Sequence, residues 1–452
     1  MNLSGKKILV LGLGDTGISA VRWLKSVGAQ VVAADSRLSP PRAGELQGIE
    51  FDAGPFRQEI LEGVDMIVIS PGLSLQEPVV SRAIEMGIPV LGDVELFARE
   101  IAKKNPRPGV LAITGSNGKS TVTSMVGAMC SKAGLDTVVA GNIGLPVLDT
   151  LGGNPTICVL ELSSFQLETL GSLNAKVATV LNVSEDHLDR YDSMREYSRV
   201  KSGIFSGDGI QVLNRDDPAS MAMRLPGRMA LTFGLSAPAG ENEYGLVQAG
   251  EETWLARGGR RLMRVSELHV AGLHNALNAL AALALCSALD IPEEKLLAAL
   301  REFRGLPHRV EKIGEINGVV FYDDSKGTNV GATVAALTGL SEKAVVILGG
   351  DGKGQDFTPL RTPIAEHARA VVLIGRDAPA IEKAVAGISV PMLHAGSMEE
   401  AVIDAFNAAE KGDAVLLSPA CASFDMFRNY AHRAEAFVDA FRILEGEACI
   451  RR

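Results

Sequence analysis

The residues best suited to chemistry stand together at Gly115, Ser116, Asn117, Gly118, Lys119, Ser120 and Thr121, directly after the apolar run Val110–Thr114. Glycines at 115 and 118 let the backbone curl so that several N–H groups converge on one anion. Lys119 adds a mobile positive charge, and the Ser120 or Thr121 hydroxyl is placed to ligate magnesium. A helix expected from Ser120 to Ala133 would turn its positive N-terminal end toward the same phosphates. Ile113 occupies the position where the full G-x-x-x-x-G-K-[ST] pattern has glycine, so the loop is a shortened form, T-G-x-x-G-K-S. Strand, loop, lysine and helix arrive in the order that binding a nucleoside triphosphate requires.

Further groups follow where a metal–phosphate site would use them. Glu161 closes the strand run Cys158–Leu160, and a carboxylate at a strand end beside a phosphate loop is where a magnesium ligand belongs. The segment Asn182–Asp189 also follows a strand, and its His187, set among oxygen ligands, is a candidate metal or phosphate contact. Lys201 falls on a helix expected at Met194–Ile204, where a lysine ordinarily faces solvent. Near the start of the chain, Gly12, Gly14 and Gly17 match G-x-G-x-x-G, with Asp35 about 20 residues on, as in a dinucleotide fingerprint. That pattern alone admits an NAD-dependent oxidoreductase, although no hydride-transfer acid stands nearby. The same turn at a helix N-terminus binds any diphosphate, so a UDP-sugar fits equally, with Asp35 or Arg37 near the uridine or its ribose.

These groups need a scaffold, and the hydrophobic pattern predicts three α/β units in series. The first (1–104) is Rossmann-like, with strands at Lys7–Leu13, Gln30–Ala34, Met66–Ser70 and Val90–Leu91. A polar, proline-bearing linker, Lys103–Gly109, leads to a central P-loop-type ATP-binding α/β domain (105–305). Its strands are expected at Thr137–Ala140, Ile157–Leu162 and Ala178–Asn182, with 229–271 read as a β-hairpin insertion or small antiparallel sheet. A helix-rich stretch at 273–303 ends near Gly305–His308. The third, Rossmann-like unit (306–452) has strands at Val319–Tyr322, Ala344–Leu348, Ala370–Ile374 and Ala414–Leu417. Three units make two clefts, which are favoured ligand sites.

The net charge of −10 over 452 residues argues against a nonspecific nucleic-acid or anionic-membrane binder. Five cysteines without a C-x-x-C pair read as reduced thiols of a cytoplasmic protein. The longest apolar tract, Ala276–Leu289, is broken by Asn278 and too short for a bilayer, so it reads as a buried helix. A monomer is expected.

The loop Thr114–Thr121, Glu161, Asn182 with Asp186 and His187, His274–Asn275, His308–Arg309 and Asp323–Asn329 together resemble the Mur ligases. These are ATP-dependent amide-forming enzymes of peptidoglycan precursor synthesis, and the resemblance runs over essentially the whole chain. With Ser418–Asp425 it lies nearest the members that add D-glutamate to UDP-N-acetylmuramoyl-L-alanine; the Asp-Asn-Pro-Arg motif linked with diaminopimelate is absent.

The resemblance implies an acyl-phosphate mechanism with ATP and two magnesium ions, held by Ser120, Glu161, His187 and a carbamylated Lys201. It implies contacts of Gly14, Thr16, Asp35, Arg37, Ser70, Gly72, Asn142 and Ser163 with the UDP-substrate. Asn275, Arg309 and Asp324 would join the phosphate loop in holding ATP. Lys326, Thr328, Lys353, Ser423 and Phe424 would meet the incoming amino acid. That set makes physical sense, because an amino acid with an extra carboxylate needs cations or hydroxyls facing it. Three other readings stay open: a folate polyglutamate synthase-like ligase, the oxidoreductase, and a non-catalytic nucleotide switch.

Overall fold

The computed structural model describes residues 2–40, 42–270 and 272–450, with side chains as far as residue 446. The first sheet has five parallel strands, ordered Glu50–Ala53, Gln30–Asp35, Lys7–Leu11, Met66–Ile69, Val90–Leu91. The order reverses at Lys7–Leu11, so the loop after it opens at the sheet's switch point, where such folds bind ligands. Two glycines of that loop are sterically required. Gly12 has φ +86°, and a Cβ there would lie 2.8 Å from the Ser70 Cβ; on Gly17 it would lie 1.8 Å from the Gly12 carbonyl oxygen.

The central sheet has nine strands. Gly109–Thr114 lies between Val177–Val180 and Ile157–Glu161, all parallel, and Thr137–Gly141 forms one edge. The antiparallel strands expected within 229–271 are present at 243–264, but they extend the central sheet, and Ala230–Phe233 is parallel. Ala230–Phe233 pairs in parallel with Ile210–Asn214, and Glu243–Ala249, Glu252–Arg257 and Arg260–Arg264 continue the same sheet, turning antiparallel only at the last two pairings. Strand Ile210–Asn214, absent from the sequence reading, bridges the two parts.

The helix Lys119–Lys132 packs on this sheet, and Leu273–Cys286 packs beside it, with Ala276 and Ala279–Cys286 fully buried. The apolar tract is thus a core helix, each deeply buried leucine contributing roughly 1.5–3 kcal/mol. The third sheet runs Glu311–Ile316, Val319–Asp323, Ala414–Leu417, Ala344–Gly349, Ala368–Ile374, Met392–His394, parallel except for the first hairpin.

The cores are shared unevenly. One apolar cluster runs from Leu3 and Phe97 into Val110 and Leu160, joining the first two units, whereas the clusters of the third unit draw only on residues from 310 onward. The cysteines at 130, 158, 286 and 421 are free and buried; Cys449 lies outside the described side chains.

Candidate active site

The phosphate loop is held open by neighbours from the adjoining strand. Asn182 Oδ1 accepts from the Asn117 N–H at 2.8 Å, and Ser116 Oγ donates to the Ser184 carbonyl at 3.0 Å. Gly118 sits at φ +81°, where a Cβ would strike Asn278 Oδ1 at 2.6 Å. Lys119 Nζ folds back to donate to the Gly115 and Ser116 carbonyls at 2.9 and 2.8 Å. Burial lowers the pKa of its ammonium, opposed by the charges of Glu161 and Asp186. An anion entering the loop would draw this ammonium away from the two carbonyls.

Sheet register places Glu161 level with Ile113 on one side and Gly141 on the other, so loop, carboxylate and Asn142 share one sheet edge. Asn142 Nδ2 donates to Glu161 Oε1 at 2.7 Å. Glu161 Oε2 and Thr114 Oγ1 are buried with no hydrogen-bond partner among the described residues. A buried carboxylate oxygen left unpaired is costly, and a divalent cation would satisfy it, so the donor set fits magnesium.

His187 follows at φ +57°, with Asp186 Oδ1 accepting its N–H at 3.0 Å. Burial pushes the imidazole pKa down to about 4, so near neutrality the ring is uncharged and its nitrogen lone pair is free to bind a metal. Lys201 departs from the expected solvated face. It is 1% exposed, donates to the Gly115 carbonyl at 3.0 Å, and has its Nζ 4.3 Å from the Tyr197 ring centroid. Burial, reinforced by the Lys119 charge, drives its pKa well down and favours the neutral amine.

The third unit closes over this edge through polar contacts. Arg309 Nη2 donates to Ser120 Oγ at 2.9 Å, and Asn329 Nδ2 reaches Asn117 Oδ1 at 3.0 Å. Lys353 Nζ meets Asp186 Oδ1 at 3.3 Å, so this lysine bridges two units rather than lying on the surface. Between the units lies a cavity of about 330 Å³ lined by Gly118, Thr121, Asn275, Arg309 and Asp324. The Arg309 Nε is buried without a partner among the described residues, and burial raises the Asp324 carboxyl to about 7. A second cavity, about 410 Å³, opens between the first two units and takes in Thr16 and Asn142, with Arg22 and Arg42, which sequence reasoning missed.

Several expected contacts serve other roles in this structure. Asp35 accepts from the Leu13 and Arg37 N–H groups and from the Arg37 guanidinium, which hold its pKa near 2 against burial, the largest and opposing influence. Its carboxylate thereby shapes the Gly12–Gly14 loop. Ser163 caps the short helix Ser164–Leu167 by accepting from the Gln166 N–H. Gly14 and Gly72 have open space at their missing side chains, and Ser70 packs against Gly12.

Lys326 and Thr328 share the turn after Asp323, with the Thr328 N–H donating to the Lys326 carbonyl at 3.0 Å. Ser423 is buried, but Phe424 is 73% exposed. The aromatic ring under Lys326 belongs instead to Tyr430, with the ammonium 5.0 Å from its centroid. Tyr430→Ala is accordingly expected to raise the KM for the amino-acid substrate about fivefold, the size of a partly desolvated cation–π contact. Phe424→Ala should stay within about twofold, as for an ordinary surface change. Steady-state rates across amino-acid concentration check this, and the reverse pattern would refute the placement.

A phosphate loop and a carboxylate poised for magnesium, set in a cleft between the second and third units, define a nucleotide site. The chain belongs to the Mur ligase family: models of the MurD-like N-terminal domain, the middle domain and the glutamate ligase domain match residues 6–92, 113–286 and 308–421. Among its relatives, UDP-N-acetylmuramoylalanine--D-glutamate ligase of Methylobacillus flagellatus is 57% identical, covering 98% of both chains. The ligase of the same name from Chromobacterium violaceum is 49% identical over 97% of this chain and 98% of its own. Among solved structures, UDP-N-acetylmuramate-alanine ligase MurC from Thermotoga maritima has a TM-score of 0.63 at 21% identity, covering 96% of this chain and 99% of that one. Folylpolyglutamate synthase of Mycobacterium tuberculosis, at TM-score 0.57 and 15% identity over 78% of this chain and 94% of that one, shares the fold.

Proposed function

We infer that this chain is an ATP-dependent ligase that joins D-glutamate to UDP-N-acetylmuramoyl-L-alanine in peptidoglycan precursor synthesis. The observation that carries the reading is the juxtaposition at one sheet edge of the Lys119 loop, the unpaired Glu161 oxygen and the third unit's Arg309 and Lys353. Full-length relatives of 57% identity that bear that name support it. Neither the oxidoreductase nor the nucleotide switch accounts for this convergence, and the folylpolyglutamate synthase likeness is one of fold.

In the reaction, the L-alanyl carboxylate attacks the γ-phosphorus of ATP to give an acyl phosphate and ADP. The D-glutamate amine then attacks the acyl carbon, and the tetrahedral intermediate expels phosphate. Bringing anions together is the main barrier, so cations must be concentrated there. Lys119 and the loop N–H groups of 115–121 would cradle the phosphates, with Arg309 beside them at Ser120. Asn275 and Asp324 would line the rest of the nucleotide cavity. Magnesium, when bound, would polarise the phosphoryl oxygens; Ser120, Glu161, His187 and a carbamylated Lys201 would hold two ions.

The units 1–104, 105–305 and 306–452 would divide the work. The first would bind UDP through Gly14, Thr16, Arg37, Ser70 and Gly72, with Asp35 shaping the loop and Asn142 and Ser163 guiding the muramoyl arm. In the third, Lys326, Lys353, Thr328 and Ser423 would face the extra carboxylate of glutamate, which a neutral amino acid would not supply; Lys353 would share its charge between that carboxylate and Asp186. No described helix is long and apolar enough to cross a membrane. A monomer acting in the cytoplasm, where ATP and the nucleotide substrate are found, completes the reading. Mass spectrometry of the product, with ADP and phosphate formed in equal amounts, tests it; ATP consumed without an amide product would overturn it.

Because the third unit meets the central one through hydrogen bonds and ion pairs and shares no apolar cluster with it, closure over bound nucleotide would cost little core burial. Small-angle scattering should accordingly give a smaller radius of gyration with a non-hydrolysable ATP analogue and UDP-N-acetylmuramoyl-L-alanine than without. Superimposable profiles would exclude closure.

A further inference from the structure

We propose that Arg190 is a positioning residue that registers the 70–73 turn of the first unit against the catalytic edge of the central unit, so that one side chain couples UDP-substrate seating to His187. This rests on the ligase reading above. Arg190 lies three residues after His187, and its N–H donates to the His187 carbonyl at 3.0 Å, tying the two backbones into one turn. Its guanidinium crosses to the first unit, where Nη1 donates to the Pro71 carbonyl at 3.2 Å and Nη2 to the Leu73 carbonyl at 2.9 Å.

The same fork grips Glu168 through Nε at 3.1 Å and Nη2 at 2.6 Å, and both side chains are nearly buried, 12% and 11% exposed. Tyr191 donates a further hydrogen bond to Glu168 at 2.6 Å. The guanidinium carbon lies 4.3 Å from the Phe165 ring centroid, and the same ring meets the His187 imidazole edge-on, 4.6 Å between centroids, and stacks on Tyr191 at 6.2 Å.

Each contact suits arginine and no other residue. A planar fork satisfies one carboxylate bidentately while its outer hydrogens reach two carbonyls, and its flat face stacks on an aromatic ring. Lysine supplies the charge but neither the fork nor the stack. The two ends of the network are the Ser70–Gly72 turn, read above as a UDP-substrate contact, and the His187 ring. Loss of the fork would free the turn relative to the ring without touching the phosphate loop, whose hydrogen bonds run through Asn182 and Ser184.

The test is steady-state kinetics of Arg190→Gln, Arg190→Lys and Phe165→Leu against the unaltered enzyme, varying UDP-N-acetylmuramoyl-L-alanine and ATP separately. In Arg190→Gln the KM for the UDP-substrate should rise about tenfold and kcat fall about tenfold, as expected for a desolvated bidentate pair, with the KM for ATP unchanged. Arg190→Lys should recover part of the kcat and little of the KM. Phe165→Leu, which keeps the ion pair and removes the stacked ring, should lower kcat and leave the KM for the UDP-substrate within about twofold.

Equal changes in the KM for both substrates, or no change in either variant, would overturn the proposal. Should Arg190→Gln fail to fold, the kcat-against-KM split in the other two variants decides the matter. If the unaltered enzyme does not turn over UDP-N-acetylmuramoyl-L-alanine at all, it is the ligase reading that fails.

Discussion

Lys119→Ala is expected to lower kcat about a thousandfold, the upper range for removing one preorganised electrostatic contact in a phosphoryl-transfer site, while the protein stays folded. The lysine's described hydrogen bonds run to two loop carbonyls, of which Gly115 also accepts from Lys201, so its loss removes a donor to Ser116 and a charge that burial already disfavours. The fold loses little. The reaction loses the cation nearest the bound phosphates, while the loop N–H groups and Arg309 remain, so ATP should still bind measurably. Single-turnover phosphate release, with circular dichroism as the control for folding, makes the test. A kcat within tenfold of the unaltered enzyme would mean that the loop lysine points elsewhere in the closed state.

Lys201→Ala should cost about a hundredfold or more in kcat, again on the scale of a lost electrostatic contact at the phosphates. The argument begins with burial. A fully buried ammonium beside Lys119 is disfavoured, which eases loss of its proton, and a neutral amine attacks carbon dioxide. In carbamylation the nitrogen–carbon bond would form, one C=O pair would become a carboxylate, and the amine proton would leave to solvent. An anion would then face Lys119 in place of an ammonium, which would relieve the repulsion and supply a magnesium ligand. Two observable results follow. Buffers stripped of carbon dioxide should lower the activity of the unaltered enzyme reversibly, and short carboxylic acids such as formate should restore part of the activity of Lys201→Ala. Full activity of Lys201→Ala without added acid would contradict the carbamate.

The sequence disclosed the phosphate loop because all of its determinants are contiguous: strand, glycines, lysine and helix lie within Val110–Lys132. The apolar alternation likewise located most of the parallel strands. Ile210–Asn214 escaped because two of its five residues, Gln211 and Asn214, are polar yet buried, their amides donating to the Met223 and Leu181 carbonyls. No local pattern announces partners that far away or across a sheet. The inward face of Lys201 did have a signal that went unused: Tyr197 and Lys201 stand four apart on the same face of Met194–Ser202 and are the two buried residues of that helix.

Contacts that cross units were not legible at all. The pairing of Lys353 with Asp186 and the bridging of Asn117 by Asn329 join two units, and the contact of Lys326 with Tyr430 joins distant residues within the third. Their chemistry is generic until the fold brings them together. Phe424 is named only through the resemblance, and the sequence reading leaves Tyr430 out; the exposure of the one and the place of the other beside Lys326 depend on the fold.

The most direct test of the central claim is phosphate release with ATP, magnesium and UDP-N-acetylmuramoyl-L-alanine against a panel of D- and L-amino acids. The account predicts release with D-glutamate, little with L-glutamate, and none with neutral amino acids, which carry no second carboxylate for Lys326 and Lys353 to meet. Equal release with a neutral amino acid, or none with D-glutamate despite bound ATP, would contradict it.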